Sequence, residues 1–221
     1  MGRYVGEIQS QVEDARRRSL NESQLADERF ASNLLKAQKK PPPTAELASK
    51  YDELSRLSED LSKNGLAGKV DSVVIPEKAN ETQRLVLDLF LRDWQKKLDP
   101  LLPIHRKLSA LRNVVNNKFL DKSISFDVKG GIVFTASDGS AIRAEQLSSG
   151  EQHLLALFTL LLFAADEGST VLIDEPELSL HAAWKHAFID DIEEVARIGR
   201  LTIVLAVSYT HLRAHETSLH L

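Results

Sequence analysis

The chain has 221 residues, of which 43% are hydrophobic and 27% charged, and its net charge is −4. That composition is ordinary for a globular protein and supplies no overall positive field for nucleic acid or an anionic membrane. The absence of cysteine excludes disulfides and thiolate metal sites and suits a reducing cytoplasm.

The first residues, MGRYVGEIQSQVEDARRR, contain no apolar stretch of the kind a signal peptide needs. Residues 5–38 are charged and free of glycine and proline after Gly6, with Val5, Ile8, Val12, Ala15, Leu25 and Leu34 as scattered apolar points. Pro41-Pro42-Pro43 stops any helix, because proline removes a donor and clashes with the preceding turn. Beyond it, Leu47, Tyr51, Leu54, Ser58 and Leu61 follow spacings of four and three, which predicts a helix with one apolar seam. That seam suits either a helical hairpin or a surface helix docked on its own domain. Asn64-Gly65 and Gly68 end it. Two further helices are predicted, one over 80–98 and one from Pro103 to about Leu120. Between Arg84 and Lys118 stand eight Lys/Arg against Asp88, Asp93 and Asp99. Such a run either contacts phosphate backbones, DNA included, or is simply solvated.

From Ser123 the period becomes two. Ile124, Phe126 and Val128 alternate with polar residues, Gly130-Gly131 turns the chain, and Ile132 to Thr135 returns. Ser137-Asp138-Gly139 is a second turn. A helix follows LSSGEQ to about Ala165; its apolar run, Leu154 to Ala165, is too short for the roughly 20 residues of a bilayer span. Then come a strand TVLID at 170–174, a helix from about Leu180 to Ile198, and a strand LTIVLA at 201–206. Both strands are apolar on both faces, as in a parallel sheet covered by helices, and strand–helix–strand at this spacing makes a right-handed crossover. The second half is therefore expected to be α/β. The chain divides into a helical region over 1–121, an α/β lobe over 122–206 and a tail over 207–221.

Two stretches carry chemistry. In VLIDEPE, Asp174 and Glu175 end a buried strand at the carboxyl edge of a parallel sheet, where ligands of α/β folds bind. Asp174 suits Mg²⁺, and Glu175 suits proton abstraction from a water attacking a phosphate. A strand merely followed by a capping acid and Pro176 has the same pattern. In LSSGEQ, Ser148…Glu151 and Ser149…Gln152 are both spaced as capping boxes, and Gly150 permits close approach. An open helix start with its positive dipole end attracts an anion.

The order of these stretches resembles the carboxyl half of an ABC-type ATPase head. LSSGEQ resembles the signature motif, and VLIDEPELSLH resembles a Walker B strand running into the D-loop. The wording is closer to RecF/SMC-like and OLD-type bacterial ATPases of DNA repair and phage defence than to transporters. The resemblance implies a partial P-loop NTPase lobe preceded by a helical insertion and a β-hairpin. It also implies ATP and Mg²⁺ as cofactors, and a homodimer closed over ATP, with an effector nuclease as a further partner and no membrane. Ser148, Ser149, Gly150 and Glu151 would serve the γ-phosphate of ATP held by a second protomer. Asp174 would organise Mg²⁺, Glu175 would be the general base, and Leu180 and His181 would lie at the dimer interface. His181 stands where the family usually has Asp; His153 and His186 read as packing or surface residues.

A phosphate-binding loop needs G-x-x-x-x-G-K-[ST]. Around Gly68-Lys69, Lys63 replaces the first glycine and Val70 the hydroxyl, so this candidate fails. We therefore expect an amino-truncated piece of a longer ATPase, with a non-catalytic protein that docks on a complete ATPase as the alternative. A zinc peptidase is excluded because His215 and His220 are five apart, not four. In the family the last strand runs into Thr-His; here Val207-Ser208 follow Ala206, and His211 comes three positions late. The tail from Val207 resembles adapter read-through, so native sequence is expected to stop at Ala206.

Overall fold

The computed structural model describes residues 2–37, 40–68, 73–176 and 184–206, apart from the side chains of 2–5, 185 and 186. Four helices come first: α1 (Gly2–Leu35), α2 (Thr44–Ser62), α3 (Glu81–Leu98) and α4 (Leu102–Lys118). The heptad-like spacing of α2 is fully used, since Leu47, Tyr51, Leu54, Ser58 and Leu61 are its buried residues. Asn80 caps α3 in a reciprocal pair with Gln83. A single 3₁₀ turn, Asp99–Leu101, joins α3 to α4.

Cross-helix bonds set the directions. Ser19 Oγ donates to Lys97 O at 2.7 Å, and Lys107 Nζ donates to Gln11 Oε1 at 3.3 Å, so α1 runs antiparallel to α3–α4. Along α2 the partners advance together: the tilted rings of Tyr51 and Trp94 lie 5.6 Å apart between centres, and Asp60 meets His105 Nε2 at 3.0 Å. Helix α2 is thus parallel to α3–α4. Leu108, Leu111, Leu154 and Leu161 are fully buried, each contributing about 1.5–3 kcal/mol. One continuous core runs from α1 and α2 through α4 into the second half. The change of composition at residue 122 is not a break in packing.

Strands β1 (Lys122–Phe126) and β2 (Ile132–Ala136) form the expected hairpin, with Ile124 opposite Phe134, and β3 (Ala141–Ile142) adds a short third strand. The strand stops two residues before Val128, which is 64% exposed. Asp127 explains the stop: its Oδ1 accepts from the N–H groups of Lys129 and Gly131, pulling the chain into the turn. That turn packs on α1 so closely that a Cβ at Gly130 would sit 2.8 Å from Val12 Cγ2.

Helix α5 (Ser149–Thr159) passes into a π turn, Leu160–Ala164, close to the expected end. Strands β4 (Thr170–Asp174) and β5 (Thr202–Ala206) pair in parallel, Asp174 opposite Ala206, and α6 (Lys185–Gly199) lies between them in sequence. The expectation of two covered faces is met on one side by the described residues. Val171, Ile173 and Ile203 pack on the core, whereas Leu172 and Val204 on the other face are 69% and 47% exposed. The described helices therefore cover one face of this sheet.

Candidate functional site

The start of α5 is built by one reciprocal cap. Ser148 is extended (φ −63°, ψ 160°), its hydroxyl accepts from Glu151 N–H at 3.3 Å, and Glu151 Oε2 accepts from Ser148 N–H at 2.7 Å. The second predicted box does not form. With Ser148 as the cap, Ser149 is already the first helical residue, and Gln152 Nε2 instead donates to Leu147 O at 2.9 Å. Ser148 and Ser149 are exposed and Gly150 is half-buried. No acceptor among the described residues meets the backbone N–H groups of Ser149 and Gly150. The helix start is open to an anion.

Glu151 is placed differently from the serines. Its side chain is 8% exposed, and Lys122 Nζ donates to both of its oxygens, at 3.0 and 2.8 Å. Burial pushes this carboxyl up, but the bonds from Lys122 and Ser148 outweigh it and hold the group below the usual glutamate range. Glu151 thus supports the helix start from inside. Lys122 is the residue that motif reading missed, because it lies 29 positions away on another element.

Lys122 is itself held in place. Ile124 N–H donates to Asn116 Oδ1 at 2.7 Å, and Asn116 Nδ2 donates to Ile124 O at 3.2 Å, which fastens β1 to the last turn of α4. From that same turn Lys118 pairs with Asp191 on α6.

At the carboxyl end of β4, Asp174 is exposed and Glu175 half-buried. Glu175 N–H donates to Ala206 O at 2.8 Å, continuing the ladder by one bond. Its φ of 46° is left-handed, a conformation that costs a non-glycine residue about 1–2 kcal/mol. Pro176 follows and disfavours the right-handed alternative. The left-handed turn breaks the strand's alternation at the second acid, so the two carboxylates do not continue as successive strand residues. Leu180 and His181 lie outside the described residues, as do Lys69 and the tail with His211; of His186 only the backbone is described. His153 is exposed, which agrees with a surface reading.

Most cations of the 84–118 run have partners within the chain, several of them at the surface. Arg84 donates to Pro42 O, Arg92 pairs with Asp88, Lys96 with Asp93, Arg112 donates to Lys63 O and Asn64 Oδ1, and Lys118 pairs with Asp191. Lys107 lies 5.8 Å from the Phe163 ring centre, and burial lowers its amine below the usual lysine range. Lys97 and Arg106 remain as exposed cations without such a partner among the described residues. No described helix is long and apolar enough to cross a membrane.

The family described as "AAA domain, putative AbiEii toxin, Type IV TA system" matches residues 4–206, so its match takes in the helices as well as the α/β lobe. No curated protein matches the chain. With that span matched, the capped helix start and the Asp-Glu strand end stand in a nucleotide-binding, ATPase-type domain, and the chain belongs to this AAA-domain family.

Proposed function

We propose that the chain is the signature and Walker B part of an ATP-hydrolysing head that works as a homodimer closed over ATP. The observation that carries the reading is the start of α5, where two exposed serines and two unclaimed N–H groups face solvent while the Glu151 carboxylate is neutralised from within. Ser148, Ser149 and Gly150 receive the γ-phosphate of ATP bound by the other protomer. Asp174 holds Mg²⁺, which offsets phosphate charge. Glu175 accepts the proton of the attacking water. Leu180 and His181 belong to the protomer interface.

Leu172 and Val204, exposed on the face that the described helices leave open, offer the sheet a surface on which a further layer can pack. In the complete ATPase, the half that carries the phosphate-binding loop covers it. Because the 221 residues contain no such loop, the chain by itself should not bind Mg·ATP tightly. The toxin–antitoxin wording of the family favours a defence setting over DNA repair.

The test is Glu175→Gln in the complete protein. Mg·ATP binding should persist, while steady-state turnover falls by about 10²–10⁴-fold, the usual contribution of a general base. Unchanged turnover would remove Glu175 from this role.

A further inference from the structure

Glu151 presents a problem for a phosphate-receiving helix start. An acid at the third helical position stabilises the helix through the cap and the dipole, yet it places a negative charge within one turn of the incoming phosphate. A like charge at the distance of residues three apart, about 6 Å at an effective dielectric near 20, lowers affinity by roughly 10–100-fold. The structure answers this with Lys122. Its ammonium bonds both carboxylate oxygens, and the Glu151 side chain is 8% exposed against 25% for Lys122. The lysine approaches from β1, which Asn116 fastens to α4, so its position does not depend on α5 itself.

We propose that Lys122 is a positioning residue for the phosphate-receiving helix start: it holds Glu151 inward and cancels its charge, so that the cap survives without repelling the ligand. This rests on the proposed role of Ser148, Ser149 and Gly150 towards the γ-phosphate. Lys122 touches no nucleotide; it acts through Glu151. The arrangement separates two demands that conflict at one residue. The carboxylate satisfies Ser148 N–H at 2.7 Å, and the lysine removes the electrostatic consequence.

The experiment compares Lys122→Met, Lys122→Arg, the pair Lys122→Met/Glu151→Gln, and Ser148→Arg in the complete protein. The readouts are the Mg·ATP concentration giving half-maximal dimerisation by light scattering, the KM-against-kcat split, and the thermal midpoint of each variant. Lys122→Met should raise the half-saturating Mg·ATP by about 10–100-fold, from the like-charge repulsion above, with kcat at saturation largely kept. Lys122→Arg should behave as wild type. The double variant should return to near wild-type half-saturation although the bridge from β1 is still broken, because glutamine keeps the cap and carries no charge. A purely mechanical bridge would not be rescued in that way. If Lys122→Met fails to fold, Lys122→Gln, which still donates to Glu151 but is neutral, carries the same test. An unchanged half-saturation in the single variant, or no recovery in the double, overturns the inference. Ser148→Arg keeps the two failures apart. Continued ATP-dependent dimerisation of that variant refutes the underlying reading, whereas its loss alongside an unaffected Lys122→Met refutes the role of Lys122 alone.

Discussion

The pair between Lys118 and Asp191 offers an asymmetric test of how α4 holds α6. The lysine side chain is 4% exposed and the aspartate 18%, so the two charges differ in how easily water reaches them once the partner is gone. Asp191→Ala strands an ammonium inside the wall of the core, and removing one partner of a buried pair costs about 3–5 kcal/mol. Lys118→Met strands a carboxylate that water can reach, so its cost should be nearer 1–3 kcal/mol on the same scale. For a protein of this size each kcal/mol moves the thermal midpoint by about 2–4 °C, which puts Asp191→Ala at roughly 6–20 °C below wild type. The double variant removes both charges and should recover much of the loss, giving a coupling of about 2 kcal/mol or more in a double-mutant cycle. Urea unfolding and calorimetry of the four proteins decide it. Equal costs for the two single variants, or strict additivity in the double, would refute the claim that a desolvated charge pair ties these helices together.

Gly130→Ala should destabilise the chain by about 2 kcal/mol or more, since left-handed backbone and close contact add; Gly130 has φ 79° and faces Val12 Cγ2. A urea midpoint equal to wild type would show that the hairpin tip does not press on α1. The stability gap between wild type and Glu151→Gln should depend on pH, because the folded-state pKa of Glu151 is depressed. The charged form's contribution is present above the unfolded pKa of about 4.3 and is lost as pH falls through the folded value. A gap that stays constant down to pH 3 would mean that the carboxylate is not held by Lys122 and Ser148.

Features decided within one turn of chain were legible in the sequence. The seam of α2 is an example, since Leu47 through Leu61 specify a buried stripe by spacing alone. The cap of α5 is another, although the sequence offered two boxes with identical spacing. One helix start admits one cap, and the extended backbone of Ser148 takes it. The strands β4 and β5 were equally plain, but their apolar residues on both faces did not say what covers them, and the described helices cover one side. Side chains that reach across the fold were not legible. The cations of 84–118 looked like one basic face, yet the helical period and the turn at Asp99–Leu101 distribute them among α2, α6 and their own neighbours. Nothing near Lys122 in sequence points to Glu151, because the pairing follows from where β1 leaves α4.

That departure point explains why the helical part and the α/β lobe share one core. Lys118 and Lys122 are four positions apart, a spacing that would stack them on one face if the helix continued. The helix instead ends at Lys118, and Asp121 takes a left-handed conformation with φ 54°. The chain turns into β1, so the two lysines diverge. One is carried to Asp191 on α6, the element leading to β5, and the other to Glu151 at the start of α5. The last turn of α4 therefore bears on α6 directly and, through β1, on the capped start of α5. A displacement of α4 cannot leave both ion pairs intact unless α5 and α6 move with it. Interiors packed to crystal density shift between discrete arrangements rather than deform smoothly. These two lysines, together with the shared core, link the helical part to the candidate site.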